Sequence, residues 1–136
     1  MSFRAELRID GHEAYRVLNC EHTLSRPMGM KSFPSGPPEF GRIELHIEST
    51  EDIFFWSKIG VPDSEYFKGE IVFLARDEEI TLKKLMFTDA LVVNHTEHFA
   101  EGGSDPMTIS MTITARALTM STNASEATIE NNWADA

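Results

Sequence analysis

The strongest constraint on this chain is a period of two that recurs along most of its length. In "SFRAELRID" the apolar residues Phe3, Ala5, Leu7 and Ile9 alternate with Arg4, Glu6, Arg8 and Asp10. Successive side chains of a strand point to opposite faces, so the pattern predicts a strand with one buried face. "GRIELHIES" repeats it most clearly, setting Ile43, Leu45 and Ile47 against Arg42, Glu44, His46 and Glu48. In "MTISMTITARALTM" the residues Met107, Ile109, Met111, Ile113 and Ala115 are expected to face the core. Thr108, Ser110, Thr112 and Thr114 then form a β-favourable but uncharged second face.

Between these segments the pattern is mixed but still extended. Asp10-Gly11 signals a hairpin turn, and "AYRVLNCEHTLS" reads as a longer strand expected to be covered on both faces over Val17 to Cys20. "GEIVFLAR" (69–76) is apolar on both faces, and "DEE" turns the chain after it. "ITLKKLMFTDALVVNHTEHFAE" predicts one long strand, or a strand with a bulge, that groups Leu85 and Phe87 with Leu91 and Val93 around a break near Asp89. Gly102 to Pro106 makes a further turn.

Only "STEDIFFWSKIG" changes period. Ser49 or Thr50 can cap a helix, Glu51 and Asp52 suit its first turn, and Lys58 and Gly60 suit its end. Ile53 and Trp56 share one side and Phe55 and Ile59 another, and so much aromatic surface on so short a helix requires cover on more than one side. The tail from Ser121 to Ala136 has no Lys or Arg and is expected to run extended over a surface. Six or so strands and one helix joined by tight turns predict a mainly β domain spanning 1–136, a small β-barrel or two-sheet sandwich with one short helix.

One passage fits no period: "SRPMGMKSFPSGPPEFG", Ser25 to Gly41. A connection this long in a small domain is usually functional, and Met28, Met30, Phe33 and Phe40 are unexpected on a purely solvated loop. Pro34, Pro37 and Pro38 stiffen it, which lowers the entropy lost on ordering.

Composition excludes several function classes. With 12 Lys and Arg against 22 Asp and Glu, the net charge of −10 leaves no surplus to neutralise a nucleic-acid backbone. No apolar run approaches the ~20 residues of a membrane-spanning helix. The N-terminus enters the first strand directly, without the basic and apolar regions of a signal peptide, so folding is expected in the cytoplasm. The single cysteine, Cys20, permits no internal disulfide and reads as a buried thiol.

The search for chemistry returns little. "HTEH" places Glu97 between His95 and His98, but strand positions three apart point to opposite faces, so the two imidazoles do not converge. No phosphate loop, nucleophile elbow or paired carboxylates stand out, and no catalytic, cofactor or metal site is expected.

The order of features resembles a known family. "MSFRAELRIDGHEAYRVLNCEHTL", "GRIELHIESTEDIFFW", "GEIVFLARDEEITLKKLMFTDALVVNHTEHF", "PMTISMTITARAL" and the late "NNW" are similar to the type VI secretion tube protein, the haemolysin-coregulated protein, in its Bacteroides-like form. The resemblance covers nearly all of the chain. It implies a phage-tail-tube-like β-barrel with one helix, a homo-oligomer of hexameric rings that stack into a hollow tube, and no enzymatic activity. A contractile sheath drives such a tube, effectors ride in its lumen or on its tip, and secretion proceeds without a signal peptide. Sheet edges and the helix contact the next protomer, so Phe54, Phe55, Trp56, Thr112, Thr114 and Trp133 are expected at subunit interfaces. The loop after the second strand reaches the adjacent ring, which assigns stacking to Met28, Met30, Phe33 and Phe40. Here the middle of that loop departs from the "GRPSS" type of the related sequences, which leaves two readings open, the main tube protein and a paralogue. Two other readings are a non-polymerising ring of the same family that binds effectors as a chaperone, and a small-barrel carbohydrate-binding or metal protein built around His95, Glu97 and His98.

Overall fold

The computed structural model describes residues 3–26, 39–60, 66–102 and 107–130. Met28, Met30, Phe33 and Trp133 lie outside the described residues. In chain order the elements are β1 (Phe3–Arg8), β2 (Tyr15–His22), β3 (Arg42–Glu48), α1 (Phe54–Gly60), β4 (Phe67–Ala75), β5 (Thr81–His98), β6 (Thr108–Ser121) and β7 (Glu126–Glu130). The strands follow the order β3-β2-β1-β4-β5-β6-β7, and β3 also pairs with β6. Six antiparallel strands therefore close a barrel, and β7 lies outside it on the edge of β6.

The barrel interior takes the apolar phase of each strand. Leu7, Ile43, Ile47, Ile71, Leu85, Phe87 and Ile113 are fully buried there. Burying such side chains contributes about 1.5–3 kcal/mol each, which makes the alternation a folding instruction. At the end of the barrel where β2 and β4 begin, α1 supplies Phe54 and Phe55. Their rings meet Phe67 edge-on at centroid distances of 5.4 and 6.0 Å, and Phe55 lies 5.2 Å from Tyr15. β4 is buried on both sides, as its sequence predicts. Ile71 enters the core, while Val72 and Leu74 lie in register with Glu6 and Arg4 on the other face.

The structure corrects the reading of β2. Only one face is covered: Tyr15 is buried and Val17 and Cys20 pack on the core, whereas Leu18 is 42% exposed. A register shift between Val17 and Asn19 makes Leu18 the extra residue of a bulge, which turns it out of the core.

β5 is also corrected. It runs unbroken for 18 residues, but Asp89 adopts a φ of 50° and resets the alternation. Leu85 and Phe87 point inward before it, and Ala90 and Val92 after it, so the expected inward pair Leu91 and Val93 is displaced. The Asp89 carboxylate accepts a hydrogen bond of 2.6 Å from Arg116 Nε on β6, which holds the left-handed residue in place. A second shift between Val92 and Asn94 flips the phase again, aligning His95 with Met111 and Glu97 with Ile109.

The helix starts later than the sequence suggests. Asp52, not Ser49 or Thr50, accepts the Phe54 N–H, at 2.6 Å, while Thr50 Oγ1 accepts the Asp52 N–H at 3.2 Å. The tail also contains a strand that the sequence reading left as an extended surface segment. Thr122 and Ser125 close a turn, and β7 then pairs with β6 from Ser121↔Glu126 to Ala117↔Glu130.

Gly41 ends the long connection and fixes where β3 departs. Its φ is 106°, its carbonyl accepts the Ala115 N–H at 2.7 Å, and a Cβ there would stand 2.6 Å from the Ala115 oxygen. The other end of the connection is tied by paired backbone hydrogen bonds between Ser25 and Glu39, of 3.0 and 2.6 Å. Phe40 packs against the core cluster, so this expected stacking residue is held against the barrel of its own chain.

Candidate assembly surface

Half of the barrel wall is a four-stranded face made by β2, β3, the first part of β6 and the last part of β5. Registers place its outward side chains in rows. Asn19, His46, Ser110 and Thr96 form one row, and Glu21, Glu44, Thr112 and Asn94 another. The expected uncharged face of β6 is thus the middle of a polar wall that contains no large apolar side chain in these rows. His46 Nδ1 lies 3.4 Å from Ser110 Oγ, and Arg42 pairs with Glu44 at 3.0 Å. Thr112 and Thr114 belong to this wall and are partly exposed.

Both lateral edges of that face are open. β1 pairs with β2 only from Tyr15 to Val17, so Leu18 to His22 have no partner on the β1 side among the described residues. β4 pairs with β5 no further than Ala90, so Leu91 to His98 are likewise unpartnered on the β4 side among the described residues. The strands alternate in direction across the face. Its two edge strands, β2 and β5, therefore run antiparallel to one another.

Beside the β5 edge, α1 and the residue before it leave an apolar surface uncovered. Ile53 is 68% and Trp56 59% exposed, whereas Phe55, expected at a subunit interface, is only 2% exposed and is covered within its own chain. Phe54 is partly buried. Helical spacing already separated Ile53 and Trp56 from Phe55, but only the fold decides which of those sides meets the barrel.

The position of the helix is set by Asp52. One carboxylate oxygen accepts the Phe54 N–H and the other meets His12 Nδ1, from the β1–β2 turn, in a short contact. The His12 ring lies 4.7 Å from the Phe54 ring. Burial alone would raise the Asp52 pKa, but hydrogen bonds from His12 and from the Phe54 N–H, together with the charge of His12, hold it below its ordinary value. Burial also pushes the nearby Tyr15 phenol up, with the Asp52 carboxylate adding to the effect.

Two grooves flank the open edges. One, of about 620 Å³, lies where β1 and β2 part and is lined by Phe3, Arg4, Arg16, Val17 and Leu18, among others. The second, of about 500 Å³, runs between the helix and the β5 edge and is lined by Ile53, Trp56, His95, Glu97, Met107 and Ile109, among others. Ser49 Oγ donates to Glu97 at 2.6 Å, and His95 Nε2 is buried without a partner among the described residues. His95 and Glu97 share the inward side of β5 while His98 does not. Among the described residues no three His, Cys, Asp or Glu side chains gather as a metal site. Burial pushes the Cys20 thiol up to about 11.

Comparison with known proteins gives a consistent result. The family described as hemolysin coregulated protein Hcp (TssD) matches residues 1–134. Hcp1 from Flavobacterium johnsoniae superimposes with a TM-score of 0.81 at 29% identity, over 94% of this chain and 99% of that one. Hcp1 from Salmonella typhimurium gives a TM-score of 0.73 at 12% identity, over 96% and 95% of the two chains. A chain of the six-fold symmetrised baseplate of the anti-feeding prophage gives 0.59 at 9% identity, over 88% and 92%. The last two likenesses bear on the fold alone. No curated protein sequence matches the chain.

Proposed function

This chain belongs to the haemolysin-coregulated protein (Hcp, TssD) family of type VI secretion tube proteins, and from that premise we propose that it is a structural subunit of the inner tube. In this reading the single domain of 1–136 forms hexameric rings that stack into a hollow tube. The tube carries effectors, is enclosed by sheath proteins and topped by tip proteins, and leaves the cell through the apparatus without a signal peptide.

The observation that carries the reading is the pair of open edges on the polar four-stranded face. Because β2 and β5 run antiparallel, the β5 edge of one copy can pair with the β2 edge of the next by ordinary antiparallel hydrogen bonds. The contact is head-to-tail and leaves a free edge at each step, which a closed ring removes. The exposed Ile53 and Trp56 beside the β5 edge supply apolar area to the same contact. The two polar rows, Asn19–His46–Ser110–Thr96 and Glu21–Glu44–Thr112–Asn94, then suit the water-filled inside of the ring. No step of this function requires catalysis, and no described helix is long and apolar enough to cross a membrane.

Negative-stain microscopy with light scattering on concentrated protein tests the proposal. Discrete six-fold rings are expected, and a strictly monomeric particle would refute it. Stacking is tested separately. Replacing Met28, Met30 and Phe33 with Ser should leave rings intact and shorten or abolish tubes, and Trp133 fluorescence should shift on assembly.

A further inference from the structure

Each open edge carries two side chains able to hold a metal, and both pairs turn to the same side of the sheet. On β2, Cys20 and His22 lie in register with Leu45 and Ile43, and on β5, His95 and Glu97 lie in register with Met111 and Ile109. Those four partners are buried in the barrel, so all four candidate ligands sit on its inner side. Residues two apart on a strand share a face and stand about 7 Å apart. Cys20, His22 and His95 are half-buried and Glu97 is exposed. Cys20, His22 and His95 make no hydrogen bond or ion pair among the described residues, and His95 Nε2 is a buried atom without a partner. Glu97 accepts only the Ser49 hydroxyl, which leaves its other oxygen uncommitted.

Within one chain the two pairs stand at opposite margins of the four-stranded face, with β3 and β6 between them. Pairing the β5 edge of one copy with the β2 edge of the next brings them onto adjacent strands. The inner row Cys20, Leu45, Met111, His95 crosses the face, and its continuation over the seam sets Cys20 of the second copy directly beside His95. A slip of two residues toward the end of β2 sets His22 beside His95 and Cys20 beside Glu97, so the same four side chains stay neighbours. Directly opposite side chains have Cβ atoms about 4.5–5.5 Å apart and diagonal ones about 7–8 Å, within reach of one ion. We propose that zinc binds across the seam between two copies of this chain, held by Cys20 and His22 of one and by His95 and Glu97 of the other. This rests on the ring reading and adds a metal to its lateral contact. A thiolate, two imidazoles and a carboxylate are donor types of four-coordinate zinc. On binding, Cys20 gives its proton to solvent and the imidazoles coordinate as neutral rings. Neither copy holds the full set, so bound zinc favours the assembled form.

Sedimentation velocity of chelator-treated protein, with and without added zinc chloride, tests the site together with the metal content of the assembled fraction. Zinc should lower the protein concentration needed for half-assembly by about tenfold or more. A closed ring has as many seams as subunits, so the assembled fraction should hold about one zinc per chain. Cobalt in place of zinc should give a thiolate-to-metal absorption band that C20A lacks. C20A and H95A should lose the response to zinc, whereas H98A, whose imidazole lies on the other face of β5, should keep it. Rings that form equally well with chelator and with zinc, or a C20A chain that takes up metal like the unmodified one, would overturn the proposal while leaving the ring reading intact. A chain that stays monomeric at every concentration, with zinc or without, would overturn both. Should C20A or H95A lose the normal circular dichroism spectrum, the cobalt band and the metal content of the unmodified chain carry the same decision.

Discussion

Gly41→Ala isolates how the closure of the barrel depends on one residue without a side chain. Gly41 sits at φ 106°, where an L side chain is strained, and a Cβ there would stand 2.6 Å from the Ala115 oxygen, a backbone atom that cannot rotate away. The backbone conformation alone costs about 1–3 kcal/mol for a non-glycine residue. Relieving the clash means moving Gly41 off Ala115, which weakens the 2.7 Å hydrogen bond between them and adds about 1 kcal/mol. The sum, about 2–4 kcal/mol, should lower the melting temperature of a chain this size by about 6–12 °C. Gly11→Ala provides the control, because Gly11 also has a positive φ, 81°, but nothing stands within 4 Å of its added Cβ. It should cost only about 1–2 kcal/mol, or about 3–6 °C. The assay is thermal unfolding followed by circular dichroism, with all proteins at one concentration because assembly shifts apparent stability. If Gly41→Ala melts no lower than Gly11→Ala, the approach to Ala115 does not limit the fold and the reasoning fails.

Other perturbations probe different parts of the molecule. Phe87→Ala, at a fully buried site that also touches Phe67, should destabilise by about 3–5 kcal/mol in denaturant titration, and a loss below 1 kcal/mol would remove Phe87 from the centre of the core. Asp52→Asn should lose stability relative to the parent at neutral pH. Because the folded pKa of Asp52 lies below its ordinary 3.8, the gap should persist above that value and close as pH falls through the folded pKa, and a gap that widens in acid would contradict the cap assignment. Cys20 should react slowly with a thiol reagent at pH 8 until the chain unfolds, since burial holds its pKa near 11; labelling of folded protein at the free-thiol rate would contradict that. Asp89→Gly should be tolerated far better than Asp89→Val, which has to place a β-branched residue at φ 50°, and equal melting temperatures would show that the phase change of β5 does not depend on this residue.

The alternation of β1, β3 and the first part of β6 set their inward faces, because each places charged or hydroxyl residues opposite apolar ones, although Phe3 and Met107 at the ends of this pattern stay exposed. The aromatic surplus of 54–56 marked a helix needing cover. Elsewhere the sequence was silent for identifiable reasons. "ALVVN" in β5 is apolar in both phases, so only the positive φ at Asp89 and the shift at Val92 decide that Ala90 and Val92 enter the core and that His95 and Glu97 follow on the inward side. "EATIE" does alternate, and a turn from Thr122 to Ser125 precedes it, but five residues gain a strand identity only from the β6 edge they pair with.

What the sequence determined by itself was the six barrel strands, the helix and most of the core, because burial favours one phase of a period-two pattern wherever the other phase is polar. What only the tertiary structure decided was which strand edges close on one another and which stay open. That choice is made by backbone hydrogen bonds common to every residue type, and by where β1 parts from β2 and β4 parts from β5. The two open edges of the polar face are therefore invisible in the residues that form them.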